Sequence, residues 1–190
     1  MPVGTNATVK SLDPRDLEEL GAQIILANTY HLYLRPGHER IERFGGLHDF
    51  MQWRRPILTD SGGFQVVSLG PLMRITEEGA RFSSHLDGSM HLFTPERSIE
   101  VQEALGPDVA VAFDQPVMPD GSSVREVRRA MDRTHRWAVR SLRAHRRANQ
   151  ALFGIAQGGI DLALRAESAA YIRELPFDGR SEEHTSELQS

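Results

Sequence analysis

Leu58-Thr59-Asp60-Ser61-Gly62-Gly63-Phe64-Gln65-Val66 is the stretch whose reading decides the fold. It follows Pro56-Ile57, so a short apolar run ends abruptly in a carboxylate, and a hydroxyl, two glycines and an aromatic ring come next. A strand buried on both faces reads as a continuous apolar run, and the order here puts an acid at the tip of such a strand. The glycines let backbone N–H groups approach a ligand closely. Phe64 supplies a ring that can stack on a planar base, a contact worth ~1–3 kcal/mol.

Working outward, residues 23–27, 56–59, 109–113 and 151–156 form four runs of this kind. Helical patterns separate them. Asp13-Pro14 opens a helix to Leu20, with Asp as N-cap and Gly21 closing it. A second spans residues 36–44, and a third starts at Thr94-Pro95-Glu96 and stops at Gly106-Pro107. A long amphipathic helix runs from Ser122 or Ser123 to Ala148, and another covers residues 161–175. Strands alternating with helices predict a parallel sheet. One insertion breaks the alternation: residues 81–86 and 89–93 flank Asp87-Gly88, a two-residue hairpin signal.

The predicted strands end in Asn28, Asp60, Asp114 and Gln157. Strand C-termini form the catalytic face of a (β/α) barrel and the ligand crevice of an open α/β sheet. Four polar ends in register therefore predict one shared pocket. Asp60 alone reads first as a turn or capping residue, ahead of a general acid/base, a nucleophile or a hydrogen-bond acceptor; Ser61-Gly62-Gly63-Phe64 shifts the reading to function. Asp114 is a second carboxylate, suited to two adjacent N–H donors such as those of a guanine edge. Gln157, followed by Gly158-Gly159, adds an amide that both donates and accepts. An Asp and a Gln suit a nucleobase better than a sugar phosphate, which calls for Lys or Arg. Neither the dinucleotide fingerprint nor the P-loop lysine pattern is present. Lys10 is the only lysine, which counts against a Schiff-base aldolase.

Composition sets bounds. The 190 residues are 39% hydrophobic and 25% charged, with net charge −4 and no cysteine. These are globular values, and they exclude disulfides and thiolate metal ligands within the chain. No apolar run approaches a membrane span, and a cytoplasmic protein is expected. His85 and His91 flank the hairpin turn without a third partner that would make them zinc ligands. Arg125, Arg129, Arg133, Arg136, Arg140, Arg143 and Arg147 form a basic stripe, read first as a solvated helix face and alternatively as a phosphate contact.

These motifs resemble bacterial-type tRNA-guanine transglycosylases, the queuine tRNA-ribosyltransferases. The matching residues are Gly4-Thr5 with Thr8-Val9-Lys10, then Ile25-Leu26-Ala27-Asn28-Thr29-Tyr30-His31-Leu32, then Arg35-Pro36-Gly37. They continue through 58–66, Phe82-Ser83-Ser84-His85-Leu86-Asp87-Gly88, and Phe153-Gly154-Ile155-Ala156-Gln157-Gly158-Gly159. The resemblance implies a (β/α)8 TIM barrel, a pentosyltransferase that exchanges guanine at the tRNA wobble position for a 7-deazaguanine (preQ1 or queuine) in queuosine biosynthesis. It implies Asp60 as acid/base, Phe64 stacked on the base with Ser61, Gly62 and Gly63 in the same loop, and Asp114 and Gln157 on the guanine edge. It also implies zinc in the full-length protein, held by three cysteines and a histidine absent from this chain, and a homodimer acting on the tRNA anticodon loop. The family often has Asp-Glu-Cys where this chain has Asp114-Gln115-Pro116, which opens the choice of incoming base. A non-catalytic tRNA-binding partner subunit is the alternative.

The expected organisation is about half of a barrel, residues 1–179, with the inserted hairpin and with no first strand before the opening helix. Residues 180–190 resemble a translated sequencing adapter and are read as a non-native tail. The expected nucleophilic aspartate lies outside this chain, so the chain alone is expected to be inactive.

Overall fold

A computed structural model describes residues 1–69, 73–117 and 122–182. In chain order the strands are β1 (Val3–Gly4), β2 (Ile25–Ala27), β3 (Ile57–Thr59), β4 (Met73–Ile75), β5 (Ala80–Ser83), β6 (Met90–Phe93), β7 (Val109–Val111), β8 (Ala151–Ala156) and β9 (Gly179–Glu182). The helices are α1 (Pro14–Glu19), α2 (Thr29–Leu34), α3 (His38–Arg43), α4 (Leu47–Met51), α5 (Gly63–Val67), α6 (Pro95–Leu105), α7 (Val124–Ala144) and α8 (Leu162–Glu174). Six strands make a parallel sheet in the order β1-β2-β3-β7-β8-β9, and β4-β5-β6 make a separate antiparallel sheet.

The four predicted core strands are present, and the sheet adds two more. β1 precedes the opening helix, so a first strand exists; two residues are too few to show a periodicity. β9 crosses position 180 and pairs with β8 through Ala156↔Glu182, although its residues are mostly exposed and polar. Backbone pairing is indifferent to that polarity. Residues 183–190 of the expected tail lie outside the described residues.

The hairpin departs from its predicted turn. β5 and β6 pair in a register that sets Ser83 opposite Met90, leaving residues 84–89 as a wider loop. Ser84 N–H bonds the Ser89 carbonyl (2.8 Å), Gly88 N–H bonds the Ser84 carbonyl (2.9 Å), and the Asp87 carboxylate takes both the N–H and the hydroxyl of Ser89. The Asp side chain thus closes the loop before a two-residue turn forms. β4 adds a third strand that its single Met-Arg-Ile triplet did not signal.

Helix ends follow the capping chemistry. Asp13 with Asp16 and Ser123 with Glu126 form capping boxes, and Thr94 and Asp161 accept from the first turns of α6 and α8. α7 ends at Ala144, four residues short of the prediction, because His145 is extended. Trp137 of α7 is fully buried and stacks on Phe113, with ring centroids 4.9 Å apart. That contact backs the strand end carrying Asp114.

Between β3 and β7 only the pair Leu58↔Val109 is in register. A side chain replaces the missing ladder. The buried Gln102 of α6 accepts through Oε1 from Thr59 Oγ1 (2.9 Å) and Val111 N–H (2.8 Å), and donates through Nε2 to Val111 O (2.9 Å) and Ser98 Oγ (3.1 Å). Gln102→Leu keeps much of the volume but strands these buried groups, so a loss of about 3 kcal/mol of stability is expected. A lower denaturant midpoint at unchanged m-value would show it; a midpoint equal to wild type would show that the amide is dispensable.

Candidate functional site

Asn28, Asp60 and Gln157 stand immediately beyond β2, β3 and β8, and Asp114 follows β7 after Ala112 and Phe113. Parallel pairing in register carries the four ends to one edge of the sheet. After Asp60 the chain turns sharply. Gly62 has φ +81°, a conformation that favours glycine, and Gly63 begins α5. A side chain at Gly63 is excluded by space, since its Cβ would fall 2.5 Å from the Asp114 carbonyl oxygen.

Asp60 sits in a cage of donors. Thr29 N–H reaches Oδ1 (2.8 Å), while Asn28 Nδ2 (2.6 Å) and Gln65 Nε2 (2.9 Å) both reach Oδ2. Thr29 Oγ1 also donates to the Asp60 carbonyl (2.6 Å). Burial pushes the Asp60 carboxyl above the usual carboxylate range, and these hydrogen bonds pull part of the way back. The residue as a whole is half-buried.

Asp114 is more enclosed. Ser61 Oγ donates to Oδ1 (2.6 Å) and Gln157 Nε2 to Oδ2 (2.7 Å). Ser61 Oγ in turn accepts from Gly63 N–H (3.0 Å), and the Ser61 carbonyl is held by Ser98 Oγ (2.7 Å). Burial pushes the Asp114 carboxyl up to about 6; its hydrogen bonds oppose this, and the nearby Asp60 charge adds to it. Gln157 is 1% exposed, and its Oε1 has no partner. Among the described residues three buried side-chain atoms are unpaired, His38 Nδ1, Gln65 Oε1 and Gln157 Oε1, and two of them belong to this site. A buried acceptor without a donor is costly, and a ligand N–H would relieve it. Phe64 is 41% exposed at the first turn of α5, a free ring beside both carboxylates' loop.

The structure therefore hydrogen-bonds Ser61, Asp114 and Gln157 into one network, with Gly62, Gly63 and Phe64 following Asp60 in the adjoining loop. The sequence reading assigned no role to Asn28 beyond its strand end, and it missed Thr29, Gln65 and Ser98. Gln65 lay within the quoted stretch; only the short helix α5 folds its amide back onto Asp60.

The other candidates are engaged in structure. His85 Nδ1 and His91 Nδ1 each meet a tyrosine hydroxyl, of Tyr30 and Tyr33, both at 2.9 Å. In the basic stripe, Arg133 and Arg136 pair with Glu77, and Arg140 pairs with Glu96 and holds the Glu77 and Glu78 carbonyls. These three arginines clamp the antiparallel sheet to α7, while Arg125, Arg129 and Arg143 are exposed, as a solvated face requires; Arg147 lies beyond the helix. Arg133 also holds Gln115 Oε1 (2.6 Å), tying the residue after Asp114 to α7. Zinc does not fit these residues: the chain has no cysteine, and among the described residues no three metal-ligating side chains gather.

A model of the queuine tRNA-ribosyltransferase family matches residues 1–181. The queuine tRNA-ribosyltransferase of Moorella thermoacetica is 59% identical over 179 residues, covering 94% of this chain and 48% of that protein. Those of Herpetosiphon aurantiacus and Desulforamulus reducens are 56% and 55% identical over the same length, covering 94% of this chain and 45% and 48% of theirs. The chain spans about half the length of the curated relatives it matches. With the match running through every strand end of the site, this chain belongs to the queuine tRNA-ribosyltransferase family.

Proposed function

We propose that this segment is the base-binding part of a tRNA-guanine transglycosylase, which replaces guanine at the anticodon wobble position with a 7-deazaguanine. The observation that carries the reading is the Asp114–Gln157 pair. It presents a buried carboxylate and an unpaired amide oxygen side by side, two acceptors for the N1–H and N2–H donors of a guanine edge. The names of the relatives agree with that chemistry. The uninterrupted sequential order of the parallel strands suits a wall of a (β/α)8 barrel, since an open doubly wound sheet reverses its order at a switch point. tRNA as substrate and a homodimer are the family's implication. No helix among the described residues is long and apolar enough to cross a membrane.

Exchange through a double displacement breaks the bond from ribose C1′ to the departing guanine, whose nitrogen takes the electron pair and then a proton. The incoming base must give up a proton before it displaces the enzyme. Asp60 is built for that transfer: fixed by three donors, raised in pKa by burial, and next to the exposed Phe64 loop. Phe64 stacks the base, which must leave its own stack to be reached. The nucleophile expected from the family lies outside this segment. Zinc is likewise assigned no step.

In the full-length protein, Asp60→Asn is expected to lower turnover at least about a hundredfold while base affinity stays within about threefold. Wild-type turnover would remove Asp60 from the mechanism. Asp114 makes a pH prediction. As an acceptor it must be ionised, so guanine affinity should rise roughly tenfold from pH 5 to 7 as the group near 6 loses its proton. Asp114→Asn should bind more weakly with a flat profile in calorimetric titration, and a wild-type profile in this variant would overturn the edge-reading role. The stability sign is opposite. The folded value lies above the unfolded 3.8, so this group's contribution to the unliganded protein is lost as pH rises from about 4 to 6.

A further inference from the structure

Behind Gln157 lies a second set of polar groups that does not face the pocket. Past the end of β8, the Gln157 N–H is buried and donates to Ser168 Oγ on α8 (2.9 Å). Ser168 is fully buried, and its Oγ also meets Nε2 of His135 on α7 (2.9 Å). His135 is 8% exposed and lies flat against Tyr171, with centroids 4.1 Å apart and planes 13° apart.

The directions of these bonds follow from the donors and acceptors present. Gln157 N–H can only donate, so Ser168 Oγ accepts there. The Ser168 hydroxyl then needs an acceptor of its own. Among the described residues its hydroxyl partner is His135 Nε2. His135 must therefore present a lone pair at Nε2 and carry its proton on Nδ1, as a neutral ring. Burial, which lowers its pKa, acts in the same sense; Asp132 and Glu167 oppose it and Arg136 reinforces it. Serines within helices commonly back-bond to their own preceding turn. Here the hydroxyl is directed across to α7 and the strand end instead.

We infer that Ser168, oriented by His135, is a positioning residue for Gln157: it fixes the strand-end backbone so that the amide nitrogen meets Asp114 and the amide oxygen is left for the base. Neither side chain touches substrate in this arrangement. The inference rests on Gln157 reading the base edge, as proposed above. Two helices and one strand end converge on one hydroxyl, which couples the α7–α8 packing to the geometry of the pocket.

The test uses the full-length protein with base and tRNA varied separately. Ser168→Ala should raise the KM for the incoming base about tenfold, the cost of one unmet buried hydrogen bond. Its kcat and its KM for tRNA should stay within about twofold. His135→Phe keeps a ring on Tyr171 but removes the acceptor, and should give the same split at roughly threefold. His135→Gln, whose Oε1 can accept from Ser168, should restore most of the base affinity. Wild-type base KM in folded Ser168→Ala would overturn the inference. So would a parallel loss in kcat and both KM values, since that marks general destabilisation. If Ser168→Ala fails to fold, the His135 pair decides, and equal base KM in His135→Phe and wild type overturns it. Asp114→Asn separates the two levels. Lost base affinity there with unchanged Ser168→Ala rejects only the positioning role, whereas unchanged affinity in Asp114→Asn rejects the base-edge reading itself.

Discussion

The site depends on one approach that admits no side chain. Gly63 lies so close to the Asp114 backbone that a Cβ would meet its carbonyl oxygen at 2.5 Å. That proximity lets a single serine hydroxyl serve both loops, accepting from Gly63 N–H and donating to the Asp114 carboxylate. A larger residue at 63 would separate the β3 and β7 ends and break both bonds. The core is arranged to hold this contact. Ser98 fixes the Ser61 carbonyl from α6, Trp137 stacks behind Phe113 from α7, and Gln102 joins β3 to β7 where the backbone ladder is short. Helix packing thus sets the distance between two loops on which the chemistry depends.

The two carboxylates differ in what surrounds them. Both are raised by burial, and the Asp60 charge adds to the cost of ionising Asp114. Asp60 has three donors from the chain itself, so its geometry is complete before any ligand arrives. Asp114 is buried with two donors, and its value near 6 leaves it mostly ionised at neutral pH while short of partners. The first arrangement favours proton transfer in a fixed direction. The second favours binding of a molecule that brings N–H groups.

Much of this was legible in the sequence for a physical reason. Buried parallel strands must be apolar throughout, so their polar ends show up as interruptions, and Asn28, Asp60, Asp114 and Gln157 were all visible as such. β1 and β9 were not, because two residues show no period and a polar edge strand pairs through backbone that any side chain permits. The hairpin loop was misread because Asp87 bonds to Ser89 rather than leaving the turn to Gly88. In the arginine stripe, the pairing of Arg133, Arg136 and Arg140 was hidden because their partners, Glu77 and Glu96, come from distant positions in the chain. Donors to Asp60 from Thr29 and Gln65 depend on how α2 and α5 begin, which spacing alone does not reveal.

Three glutamines show how the completeness of hydrogen bonding separates structure from function. Gln102 is fully buried with both ends of its amide paired, and every partner is a group of the core. It leaves nothing for a ligand, and its role is to join strands. Gln157 and Gln65 are paired through nitrogen alone, each to an aspartate of the site, and each leaves a buried oxygen unmet. An unmet acceptor lowers stability, so a fold that only had to be stable would gain from filling it. Both unmet acceptors lie next to the two strand-end carboxylates, where the proposed function has use for them. Gln102 and Gln157 are chemically identical and almost equally buried, yet the first spends its whole amide on the sheet and the second keeps an acceptor that the base-edge role proposed for it would use.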